Sequence, residues 1–126
     1  VIDASGSVVL VAHSLGCILV SAWAGVSRHT ARVRGALLVA PGDTEAQELK
    51  DRLPGWSPIA RQKLPFQSIL VGSQNDPYCT AERAQALAHH WGSRWVNLGA
   101  AGHINADSSL GEWPEGQTLL QTLLKD

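Results

Sequence analysis

Methionine is absent from all 126 residues, position 1 included. Cysteine is nearly absent too. Cys17 and Cys79 are the two in the chain, and they lie too far apart in sequence to suggest a disulfide framework. They read as buried thiols of a cytoplasmic protein rather than a redox pair. Charge of one sign is not in excess: 10 basic residues face 11 acidic ones, a formal net charge of −1. Nothing in that balance points to nucleic acid. The basic cluster Arg28-His29-Thr30-Ala31-Arg32-Val33-Arg34 reads as a solvated connection between a helix and a strand. No apolar run is long enough for a membrane span, and no signal peptide is visible. No His/Cys/Asp set has metal-ligand spacing, so neither metal nor cofactor is expected. Internal repeats and low-complexity segments are lacking as well. The length allows one hydrophobic core, and residues 1–126 read as a single α/β domain.

The most informative stretch present is Val8-Val9-Leu10-Val11-Ala12-His13-Ser14-Leu15-Gly16. An uncharged apolar run ends in a serine between small and polar residues, and a helix-period pattern follows. That is strand, sharp turn, helix, with Ser14 at the apex. The pattern matches the nucleophile elbow G-x-S-x-G, with Ala12 in place of the first glycine. Small residues at 12 and 16 let strand and helix approach closely. The plainer reading is a helix capped by Ser14.

Two further segments favour the elbow. Gln67 to Ser73 is a strand, and Gln74-Asn75-Asp76-Pro77-Tyr78 is the turn after it. Trp95 to Gly99 is the next strand, followed by Ala100-Ala101-Gly102-His103. Asp76 and His103 would then stand at the carboxyl ends of parallel strands, on the same rim as Ser14. The order Ser, Asp, His is that of elbow hydrolases. Ser14 is the expected nucleophile, His103 the base and Asp76 the acid that orients it. Leu15 N–H is the expected oxyanion donor. Asp107 is a rival acid but follows no strand. Asn75 reads as a turn residue, Trp56 as loop or core packing, and His89 and His90 as surface.

Three segments resemble the YdeN type of serine hydrolase, a small branch of the α/β-hydrolases. They are Val11 to Cys17, Gly72 to Cys79 and Gly102 to Gly116. The last is the most specific: His103, then Asn-x-x-Ser-x-Leu-Gly-x-Trp-Pro. The resemblance implies a three-layer α/β/α hydrolase fold lacking its N-terminal strands, with this chain as about its C-terminal two-thirds. It implies an ester or aminoacyl substrate of modest size, and it places Trp113 near the base as a substrate-binding candidate. His13, beside the nucleophile, is a second such candidate. The loop that ordinarily gives the second oxyanion donor would precede this chain. Poor catalysis by the chain alone is therefore expected. Mammalian members of the type are named for binding a pocket protein, so a non-catalytic binding role is the alternative.

The remaining organisation alternates strand and helix, which implies a parallel sheet. A helix is expected over about Leu15–Arg28, with Leu15, Ile18, Leu19, Ala22, Trp23 and Val26 on its inner face. A strand is expected over Gly35–Ala40, then a short polar helix over Thr44–Lys50 and a loop over Arg52–Lys63. A helix over Thr80–Trp91 is capped by Thr80 and turns Ala84, Leu87, Ala88 and Trp91 inward. A last helix holds Leu119, Leu120, Leu123 and Leu124. With the elbow strand at a sheet edge, its unpaired backbone would invite a homodimer.

Overall fold

The computed structural model describes residues 7–105, 108 and 110–124. Among these, four strands form one parallel sheet in the order β1 (Val8–His13), β2 (Val33–Val39), β3 (Gln67–Gly72), β4 (Arg94–Asn97). Helix α1 (Leu15–Val26) joins β1 to β2 through a 3₁₀ turn at Thr30–Arg32. Helix α2 (Gln47–Arg52) lies between β2 and β3, α3 (Ala81–Trp91) between β3 and β4, and α4 (Pro114–Leu124) comes last.

The interior strands β2 and β3 are nearly continuous apolar runs because both faces are covered. Period-2 alternation divides their side chains. Ala36, Leu38 and Leu70 face a cluster with Cys17 and Ile18 of α1 and Ala84, Leu87, Ala88 and Trp91 of α3. Leu37, Val39, Ile69 and Val71 face a second cluster with Ile104 and Leu123. Helices therefore cover both faces, giving three layers. Gly35 makes the second packing possible: a Cβ there would stand 2.9 Å from Leu123 Cδ2. The register Val11↔Leu37↔Ile69 brings the carboxyl ends of β1, β2 and β3 to one rim.

The expected inner face of α3 is the observed one. Its ends follow ordinary capping chemistry. Arg83 N–H donates to Thr80 Oγ1 at 3.1 Å, and Gly92 closes the helix at φ 71°. The expected inner face of α1 needs correction. Cys17, Ile18 and Ser21 are its buried positions, while Leu19 is 60 % and Val26 83 % exposed. Ile18 is buried as expected, and the helix is rotated so that the small Cys17 and Ser21 meet the sheet beside it. The larger apolar stripe overhangs the outer side of β1, which has a single strand neighbour among the described residues. A cleft of about 260 Å³ lined by Leu10, Leu19, Val20 and Trp23 marks this flank.

Candidate active site

Ser14 sits between β1 and α1 with φ 58° and ψ −119°. A left-handed backbone is unfavourable for a residue with a Cβ and persists only when its surroundings enforce it. Ser14 N–H donates to Val39 O at 3.0 Å and Ser14 O accepts from Cys17 N at 3.1 Å. The sheet and the helix thus each hold one side of the turn. Close approach across the turn is permitted by small residues, since a Cβ on Gly16 would lie 3.4 Å from Ala12 Cβ. Ser14 makes no side-chain cap to α1, which removes the plain capping reading and leaves the hydroxyl to other work.

That hydroxyl lies 2.9 Å from His103 Nε2. His103 Nδ1 lies 2.9 Å from Asp76 Oδ2 and 3.0 Å from Oδ1. The Asp76 side chain is 2 % exposed and that of His103 10 %. Nδ1–H donates to the carboxylate, which leaves Nε2 as the acceptor for the serine proton. Asp76 Oδ1 also accepts from Tyr78 N–H at 2.9 Å, which fixes the acid within its own turn. Three residues drawn from three strand ends therefore form one continuous hydrogen-bonded chain. Asp107, the rival acid, lies outside the described residues.

The other expected site residues fall in different places. Leu15 opens α1 next to Ser14, where a first-turn N–H has no intrahelical acceptor. His13 is exposed, and its Nε2–H donates to the carbonyl of His103 at 2.8 Å. Its ring centroid is 4.7 Å from that of His103. Trp113 packs in the second apolar cluster with Ile104, its indole over Gly116, and its buried Nε1–H has no partner. It packs with Ile104, the residue after His103. A cavity of about 340 Å³ lined by Ile104, Asn105, Leu110, Gly111 and Trp113 adjoins it.

Tyr78, Ser73, Asp43, Glu45 and Arg83 were not singled out from sequence, and Asn75 was read only as a turn residue. Tyr78, the sole tyrosine, sets its ring edge-on to His103 at 4.7 Å. Its position two residues after Asp76 was the available signal. Ser73, 1 % exposed, and Asn75 bond the acid turn to the base loop. Arg83 grips Asp43 with two bonds of 3.0 and 3.1 Å and reaches Glu45 at 2.7 Å. Glu45 also receives Arg61, and these guanidinium bonds hold its carboxyl down at about 2. Asp43 N–H donates to Tyr78 O at 2.9 Å. This ionic cluster thereby ties the segment after β2 to the acid turn. No signal short of tertiary contact links Asp43 to Arg83.

Cys17 and Cys79 are free and buried. Burial pushes both thiols up to about 12, so neither is a nucleophile at neutral pH. His89 and His90 are exposed, and Trp56 packs against the first cluster. Among the described residues no His/Cys/Asp/Glu group could hold a metal, and no helix is long and apolar enough to cross a membrane.

With this geometry in place, the comparisons with known proteins are specific. A family model described as serine hydrolase matches residues 1–122. The chain belongs to the serine hydrolase family. Among solved structures it is similar to a YdeN-like hydrolase of Pectobacterium atrosepticum, at 30 % identity and a TM-score of 0.81. That alignment covers 96 % of this chain and 61 % of the other, so the chain spans under two thirds of that relative's length. An enol-lactonase of Burkholderia xenovorans matches at 13 % identity and TM-score 0.65, covering 95 % of this chain and 66 % of that one. A Bacillus cereus carboxylesterase matches at 14 % and 0.61, covering 95 % and 51 %. These two show the α/β-hydrolase fold alone. No curated protein matched.

Proposed function

We propose that this serine hydrolase cleaves small esters or amides, aminoacyl compounds among them, through a covalent acyl-enzyme. The observation that carries the reading is the unbroken chain from Asp76 through His103 to Ser14, every link 2.9–3.0 Å. A neutral hydroxyl is a weak nucleophile at pH 7 and needs a base within hydrogen-bond reach. Ser14 Oγ attacks the substrate carbonyl while His103 Nε2 takes its proton. The C–O bond forms, the carbonyl π pair moves to oxygen, and that oxyanion rests on Leu15 N–H, aided by the positive end of α1. Collapse of the intermediate expels the alcohol or amine, which takes the proton from His103. Water repeats the sequence to release the acid. Asp76 holds the ring in the productive tautomer and stabilises the imidazolium.

Losing a donor from such a hole costs about 3–4 kcal/mol of transition-state stabilisation, so Leu15 N–H is expected to matter to the rate. His13 and Trp113 are proposed to border the substrate, His13 on the strength of its exposed ring beside the base. The buried free thiols support work in a reducing, cytoplasmic compartment.

A protein-binding role is the second reading, favoured by the exposed apolar residues Val11, Leu19 and Val26. The occupant proposed for the β1 edge is a second copy of the chain, paired edge to edge. The deciding experiment for activity is labelling with a fluorophosphonate, read by intact mass. One adduct on the wild type and none on Ser14→Ala is expected. An unlabelled wild type favours the binding role.

A further inference from the structure

The segment carrying His103 is bent in a way that suits Gly102 but not Ile104. Gly102 and Ile104, on either side of His103, have φ of 61° and 52°. A β-branched residue adopts that backbone only where its surroundings dictate it. Much of that constraint comes from the acid turn. The buried Ser73 Oγ accepts from Ala101 N–H at 3.0 Å and stands 3.0 Å from Gly99 O and 2.9 Å from Asn75 Oδ1. Its single proton serves one of those two oxygens at a time. Asn75 Oδ1 accepts from Gly102 N–H at 2.7 Å, one residue before the base. The residue that reads locally as a turn former thus reaches across 27 positions to the other loop.

We infer that Asn75, supported by Ser73, is a positioning residue. It fixes the backbone of the base loop against the acid turn, and so sets the distance and angle of His103 to both Asp76 and Ser14. This rests on the hydrolase reading above. Asn75 touches neither Ser14 nor the reacting atoms and acts through Gly102. The titratable groups facing His103 among the described residues are Asp76, Tyr78 and, from β1, His13. A base loop released from Asn75 weakens the Nδ1–H to carboxylate bond, which ordinarily stabilises the imidazolium. The pH midpoint at which the base becomes active then moves down, while the plateau rate falls.

The test uses the whole chain and the exposed Asn75, whose replacement spares the core. Labelling rates with the fluorophosphonate are measured across pH for wild type, Asn75→Ala and Asn75→Asp, beside the far-downfield proton resonance of His103 Nδ1–H. Asn75→Ala is expected to label about 10- to 100-fold more slowly, the scale for a misplaced reacting group. Its midpoint should be lower and its Nδ1–H resonance shifted or broadened. Asn75→Asp keeps an acceptor for Gly102 N–H and is expected to recover most of the rate. A slower Asn75→Ala with unchanged midpoint and resonance overturns the inference in favour of a merely structural bond. A wild-type rate in Asn75→Ala overturns it outright. If the wild type is not labelled, the hydrolase reading fails. The Nδ1–H resonance then decides the positioning claim alone, an unchanged signal in Asn75→Ala overturning it.

Discussion

The hydroxyl of Ser14 is presented towards His103 by a forced backbone. A φ of 58° at a residue with a Cβ is held by Val39 O on the sheet side and Cys17 N on the helix side. Beside it, Asp76 decides which nitrogen of His103 carries the proton. Asp76→Asn keeps the shape but inverts the donor. Fluorophosphonate labelling of that variant should slow by on the order of 10⁴, the loss seen when a triad histidine is held in the wrong tautomer. A residual rate within tenfold of wild type would remove Asp76 from the triad. The two thiols set the contrast. Because burial puts Cys17 and Cys79 at about 12, roughly 10⁻⁴ of either is thiolate at pH 8. Iodoacetamide should leave the native chain unmodified and alkylate both cysteines in denaturant, as intact mass would report.

Among the elements, α3 packs Ala84, Leu87, Ala88 and Trp91 into the first cluster. Trp91 is fully buried, its Nε1–H donates to Ala60 O at 2.7 Å, and Leu64 N–H donates back to Trp91 O at 2.9 Å. Trp91 thus anchors the helix to the long loop before β3 through both its indole and its main-chain carbonyl. Trp91→Ala should lower unfolding free energy by about 3–5 kcal/mol, the usual cost of emptying a buried aromatic site. Thr80→Ala, which loses only a cap, should cost about 1 kcal/mol. Urea denaturation of both variants checks the ranking, and equal losses would show that the Trp91 site collapses to fill itself.

For the whole molecule, charge and edge pairing matter most. Glu45 is held at about 2 in the folded chain by Arg61 and Arg83, against an ordinary value of 4.5. A depressed carboxyl stabilises fully above its unfolded value. That contribution is lost as pH falls from about 4.5 towards 2. Glu45→Gln has nothing to lose there, so its urea midpoint should fall less steeply over that interval than the wild type's. Parallel curves would mean that the Arg61 and Arg83 contacts are screened by solvent. At the other side of the sheet, β1 has a single neighbour among the described residues and Val11 is 62 % exposed. Unpaired strand edges recruit further strands. Sedimentation velocity is expected to show dimer growing with concentration, and to show less of it when Val11→Lys puts a charge on that flank.

The sequence by itself determined the alternation of strand and helix, the elbow at Ser14 and the order of Asp76 and His103. Those features are local: apolar runs of strand length, a helical period and turn chemistry at each strand end. It also determined the inner face of α3, where alanine, leucine and tryptophan recur at helical spacing. Only the tertiary structure decided which side of α1 meets the sheet. Hydrophobicity rightly pointed to Ile18 but also to Leu19, Ala22 and Val26, which are exposed, and Cys17 and Ser21 are buried beside Ile18 instead. The bonds from Asn75 to Gly102, His13 to His103 and Arg83 to Asp43 were likewise decided in three dimensions. Each joins residues 27 to 90 positions apart, and no local pattern encodes a partner that distant. Folding the strands into one sheet is what brings those loops to a common rim.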